Sequence, residues 1–147
     1  MIAIRLTAAL LFLGAAAMAG EAGAAELKLL SSEAMKPALQ ELAPAYEAAS
    51  KNKLKIEYGA PEAVEKKIDS QEEYDVVILD KPRVDKLYSA AKVAGGSMKP
   101  VAKQGADTYI AASPNTTEQP LPAMALIDFL HGPKAIEVYK AKGLQPG

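Results

Sequence analysis

The sequence has no cysteine, one histidine, few aromatic residues and no excess of either charge. Without cysteine there are no disulfides and no lipid-anchored cysteine after a leader, and thiolate–metal chemistry is excluded. The single histidine, His131, rules out His-Glu-x-x-His zinc binding, and its place before Gly132-Pro133 suits a helix end, where a cation meets the negative pole of the helix dipole. A Gly-x-Ser-x-Gly elbow is missing. Gly95-Gly96 is not followed by the Gly-Lys-Ser/Thr of a phosphate loop. Lys plus Arg number 17 against 18 Asp plus Glu, a net charge of −1. No basic surplus exists to displace counterions, which argues against a nucleic-acid partner. Lys51, Lys53, Lys55 and the Lys66-Lys67 pair read as solvated faces. These absences point away from catalysis and toward binding.

The N-terminus reads as an address. Met1–Arg5 carries one positive charge, Thr7–Ala19 is apolar, and Ala17-Met18-Ala19 and Ala22-Gly23-Ala24 both offer small-x-small cleavage sites. The apolar stretch is shorter than the ~20 residues of a membrane span. We therefore expect a signal peptide over 1–24, cleaved near Ala24 or Ala25, an exported periplasmic product, and no membrane span in the mature protein.

The remaining length suits one domain. Glu26–Leu30 is a short strand-like run ending at Ser31-Ser32. Met35, Leu39, Leu42, Tyr46 and Ala49 recur at helical spacing, with Ser32 as N-cap and Glu33 in the first turn. Pro44 is expected to kink or split that helix. Lys53–Tyr58 alternates as a half-buried strand, and Pro61 opens a second helix through Val64 and Ile68. Val76-Val77-Ile78-Leu79 is a continuous apolar run of the kind buried on both faces of a parallel sheet. A third helix follows, with Val84, Leu87 and Tyr88 expected to face inward. This alternation predicts a three-layer α-β-α, doubly wound sheet, mostly parallel. Residues 94–107 lose pattern, with Met98–Ala102 a candidate extended piece. Asp107–Ala112 regains strand character, and two helices, divided at His131-Gly132-Pro133, close the chain.

Ala25–Val93 carries "LSSEAMKPALQELAPAYE", "YDVVIL" and "LDKPRVDKL", and Ala106–Gly147 carries "ALIDFLHGP" and "KAKGLQPG". In that order they resemble periplasmic molybdate-type substrate-binding proteins of ABC transporters (type II periplasmic binding proteins). The resemblance implies a single lobe over 25–147, comprising a first segment (25–93), a junction (94–107) and a C-terminal return (108–147) with one antiparallel returning strand. Family members have two lobes joined by a hinge. Here "KPVAKQGADTYI" joins one crossover directly to the return, so lobe two is expected to be missing.

In open α/β sheets ligands sit beyond the carboxyl ends of the strands, where helix N-termini offer N–H groups to anions. Three loops fall there: Ser31-Ser32-Glu33, Gly59-Ala60-Pro61-Glu62 and Asp80-Lys81-Pro82. The resemblance carries anion-binding roles onto Ser31 and Ser32, and onto Ala60 and Pro61. Asp80 also reaches this crevice, although capping the strand end is its plainer role. The chain departs from the family in Glu33, where a small residue is usual, and in Pro61 and Glu62, where Gly or Ser is usual. Pro61 lacks an N–H, and a like charge at ~4 Å costs about 1 kcal/mol in water.

Three functional readings stay open. The first is a solute-binding domain with weak or altered binding of a molybdate-, tungstate- or sulfate-like oxyanion, serving an ABC transporter permease and needing no cofactor. The second is a protein-interaction module, including one that forms a homodimer. The third is an internally deleted remnant without function.

Overall fold

The computed structural model describes residues 24–147. The leader expected over 1–24 therefore lies, apart from Ala24, outside the described residues.

The first segment folds as strand–helix alternation. Strand β1 is Glu26–Ser32, helix α1 Lys36–Ser50, β2 Lys53–Gly59, α2 Pro61–Asp69, β3 Val76–Asp80 and α3 Lys81–Ser89. After a short 3-10 turn come β4 (Lys99–Gln104), β5 (Asp107–Ala112), α4 (Pro120–His131), α5 (Pro133–Ala141) and the two-residue β6 (Gln145–Pro146). The sheet order is β2-β1-β3-β5-β4-β6. Strands β1, β2 and β3 pair in parallel, and β5 is the antiparallel return between β3 and β4. Strand β4 thus runs with β1–β3, and β6 is a second, brief antiparallel piece on its outer side. All six strands belong to one sheet.

Each face of the sheet carries its own core. On one side Leu27, Leu29, Val76 and Ile78 pack with Leu39, Leu42 and Tyr46 of α1 and with Leu126, Ile127, Val138 and Tyr139 of α4 and α5. On the other, Leu30, Val77 and Leu79 pack with Val64 and Ile68 of α2 and with Val84 and Leu87 of α3. The apolar run of β3 serves both layers, with every residue from Val76 to Leu79 at 0% exposure. Each such side chain contributes roughly 1.5–3 kcal/mol by leaving water. This is the three-layer arrangement expected from the alternation.

Four local expectations are corrected. Tyr88 of α3, expected to face inward, is exposed, and only Val84 and Leu87 of that helix are buried. Helix α1 runs unbroken through Pro44. Pro44 and Gln40 both lie on the exposed face, so the carbonyl that loses its partner is left to water and the helix need not end. Strand β1 does not stop before Ser31-Ser32 but includes both, because Ser31 and Ser32 pair with Tyr58 and Gly59 of β2. Gly132 does not adopt the left-handed form of a helix-ending glycine; its φ is −86°, and Pro133 makes the break.

The weakly patterned junction contains β4, which runs two residues beyond the extended piece expected at its C-terminal end. A two-residue turn, Gly105-Ala106, joins it to β5, with Gln104 paired to Asp107. Gly105 has φ +60°. Glycine with positive φ at the first central position is what a tight II′ hairpin requires.

Candidate functional site

The carboxyl ends of β1, β2 and β3 form one rim, because the strands are parallel and adjacent. Ser32 lies opposite Gly59, and Ser31 is flanked by Tyr58 on one side and Ile78 on the other. The strand ends at Ser31-Ser32 and Asp80 and the strand-to-helix corner at Ala60-Pro61 are therefore neighbours, and β5 adds Tyr109 beside Asp80.

Their hydroxyls and carboxylates are differently disposed. Ser31 is fully buried and its hydroxyl donates to the Ser32 carbonyl at 3.0 Å. The Ser32 Oγ accepts from the Ala34 N–H at 3.4 Å, capping the 3-10 turn Glu33–Met35 that leads into α1. Accepting that bond leaves the Ser32 hydroxyl proton available to donate. Ala60 is the exposed N-cap of α2, its carbonyl accepting from Ala63 and Val64. Helices α1, α2 and α3 carry Pro37, Pro61 and Pro82 in their first turns. Each proline removes one of the free N–H groups that a helix start would offer an anion.

Asp80 does not cap the start of α3 with its side chain. Its carboxylate accepts from Arg83 Nη1 at 2.8 Å. The same guanidinium donates to Glu62 at 2.6 Å and to Glu65 at 3.3 Å. Arg83 thus clamps three carboxylates from α2 and the β3–α3 corner, and the hydrogen bond to Asp80, with the charges of all three, raises its already high pKa. Burial raises the pKa of the Tyr109 hydroxyl, and the negative charges of Asp107 and Asp80 add to the shift. Around Asp80 the rim is acidic, with Arg83 as its neutralising group. Residue reading missed Arg83; the signal available was the Asp80/Arg83 spacing of three within a first helical turn.

His131 lies at the end of α4, and its Nδ1 donates to the Pro100 carbonyl at 2.6 Å, tying α4 to β4. Asp75 lies at the opposite end of β3 from Asp80. Its carboxylate accepts from the Lys28 N–H at 2.8 Å and the Thr117 hydroxyl at 2.6 Å, fastening the β5–α4 loop to the first segment. An open groove of about 700 Å³ lies at that same end, lined by Lys28, Glu72, Tyr74, Asp75, Lys92 and Thr117 among others. It is remote from the rim, since these residues stand at the amino ends of the parallel strands. Among the described residues no three His, Asp or Glu side chains converge to hold a metal ion, and no helix is long and apolar enough to cross a membrane.

The model for bacterial extracellular solute-binding proteins matches residues 27–106, which is 80 of the 147. No curated protein sequence matches significantly. Solved structures show the same fold at low identity. A substrate-binding domain from Clostridium difficile, ascribed to a molybdenum ABC transporter, superposes with TM-score 0.78 at 11% identity, covering 84% of this chain and 100% of that one. The periplasmic molybdate-binding protein of Azotobacter vinelandii gives 0.76 at 12%, covering 82% and 99%. The tungstate ABC transporter structure from Geobacter sulfurreducens gives 0.63 at 11%, covering 79% and 98%. By the extent of the family match and the shared architecture, this chain belongs to the bacterial extracellular solute-binding proteins.

Proposed function

We propose that this chain is an exported, periplasmic solute-binding domain that holds a small tetrahedral oxyanion weakly at the rim of β1, β2 and β3 and acts with an ABC transporter permease, binding rather than catalysing. The observation that carries the reading is the convergence of three strand-to-helix corners on one rim, with Ser32 in register beside Gly59. Structures of the same fold whose names specify molybdate or tungstate point to the oxyanion class.

The residues proposed to face the anion are Ser32, through its free hydroxyl proton, and Ala60 at the start of α2. Ser31 supports the turn from within the sheet, Pro61 shapes the corner without donating, and Asp80 bears on the anion through its charge, held by Arg83. The Gly105-Ala106 hairpin favours a single-lobe molecule, since it leaves no chain between β4 and β5 for a second jaw. An anion on one open rim keeps much of its hydration and meets few donors. Affinity of about 1 mM, near −4 kcal/mol, is the expected scale.

Isothermal calorimetry with molybdate, tungstate, sulfate and phosphate tests the proposal. Saturable heat with at least one anion, weakened several-fold by Ser32→Ala, is expected. Absence of heat and of thermal shift with all four would remove the ligand role.

A further inference from the structure

We propose that the outer edge of β2 is a self-complementary surface on which a second copy of this chain docks, antiparallel, about a two-fold axis through Ile56. Strand β2 ends the sheet, and among the described residues no strand pairs with its outer side. Lys53 turns its N–H inward, donating to the Ala25 carbonyl at 2.8 Å. By alternation, Leu54, Ile56 and Tyr58 turn their N–H and C=O groups outward. The Leu54 N–H does so visibly, meeting only the Glu47 carboxylate of α1 at a long 3.4 Å.

An unpaired edge of seven residues is a template for another strand, and lysines on such an edge commonly block pairing. Here the charge pattern selects a register instead. Antiparallel bonding requires outward-facing residues to oppose one another, which permits only alternate registers. Centring the axis on Ile56 sets Ile56 against Ile56, Leu54 against Tyr58, and Lys55 against Glu57 of the second copy. The next permitted register on one side sets Lys55 against Lys55, and on the other Glu57 against Glu57. Like charges directly opposite each other are unfavourable, whereas opposite charges and apolar pairs stabilise. One register alone satisfies hydrogen bonds, charge and apolar contact together.

The side chains are placed for this. Lys55 is exposed and makes no ion pair among the described residues. Leu54, Ile56 and Tyr58 are only half-buried, lying on the margin of the α1-side core. Glu57 is held between Lys67 and Lys28, which keeps it charged and in place. Docking replaces the long Leu54–Glu47 contact with a backbone bond. The partner is thus a second copy, and the contact is distinct from the rim that carries the proposed anion site.

Light scattering on the purified chain over a rising concentration series is the test. The apparent mass is expected to climb from one chain toward two. Lys55→Glu and Glu57→Lys, each checked for native circular dichroism, should stay monomeric alone, while their equimolar mixture dimerises because every contact between positions 55 and 57 is again between opposite charges. Ile56→Pro is the companion variant should Glu57→Lys fail to fold. It deletes a central outward N–H without removing any bond to β1, and it should also be monomeric. A wild-type chain that remains a monomer throughout overturns the proposal, as does undiminished dimerisation of the Lys55→Glu or Ile56→Pro variant. Calorimetry on the rim is read separately, so failure of either proposal leaves the other intact.

Discussion

Replacing Arg83 by Gln tests whether one guanidinium holds the rim together. Asp80 is its least exposed partner, with 14% of its side chain accessible, whereas Glu62 is at 66%. The Asp80 bond is charge-assisted and partly shielded, so we assign it about 1.5 kcal/mol. The pairs to Glu62 and Glu65 are discounted for solvent and salt to about 0.5 kcal/mol together. Loss of roughly 2 kcal/mol in all lowers Tm by roughly 8 °C for a domain of this size. Arg83→Lys keeps the charge but not the planar fork, and should recover less than half. Calorimetric melting at low and high salt provides the measurement, with only the smaller, exposed share of the loss disappearing in salt. The substitution also unmasks the carboxylates of Asp80 and Glu62 at the rim, so any oxyanion affinity should fall several-fold, while Asp80→Asn should raise it. A Tm unchanged within a degree or two, or anion affinity that rises in Arg83→Gln, would refute the clamp.

Three further outcomes are expected. Tyr139 is fully buried and its hydroxyl donates to the Leu130 carbonyl at 2.7 Å across the α4–α5 break; Tyr139→Phe orphans that carbonyl and should cost about 1–3 kcal/mol in urea unfolding. Gly105→Val introduces a β-branched residue at φ +60°; a Cβ there meets nothing, so the expected loss of about 1–2 kcal/mol is conformational, and Gly105→Asn should lose less. Burial pushes the Tyr74 hydroxyl from 10 up to about 12. The folded state then holds its proton more tightly than the unfolded state. Its contribution is complete below pH 10 and is lost as pH rises toward 12, so urea midpoints should fall across that window and fall less in Tyr74→Phe.

The strand at Asp107–Ala112 was legible to its ends, because the β-favouring Tyr109 and Ile110 lie between the turn residues at Gly105 and those at Ser113-Pro114. Val76–Leu79 announced a strand covered on both faces, and its burial follows. Strand β4 was faint because Lys99, Pro100, Lys103 and Gln104 have little strand character, and it exists through pairing with β5 and β6. Ser31 and Ser32 looked like loop, since serine favours turns, but the neighbouring strand draws them into the ladder. In the candidate rim, the grouping of three loops followed from strand order, but Arg83 did not stand out until α2 and α3 lay side by side.

Local chemistry in the chain was enough to set the succession of strands and helices, the two-sided apolar strand and the exclusion of thiol, zinc and nucleophile-elbow chemistry, because periodicity and composition are properties of neighbours in sequence. Only the folded sheet decided that Ser31 and Ser32 are both buried, with the Ser31 hydroxyl proton given to a carbonyl and that of Ser32 left free, that Arg83 gathers three carboxylates, and that β2 lies at an open edge. Those facts depend on which segments become neighbours across the sheet, and burial and hydrogen-bond partnership are set there.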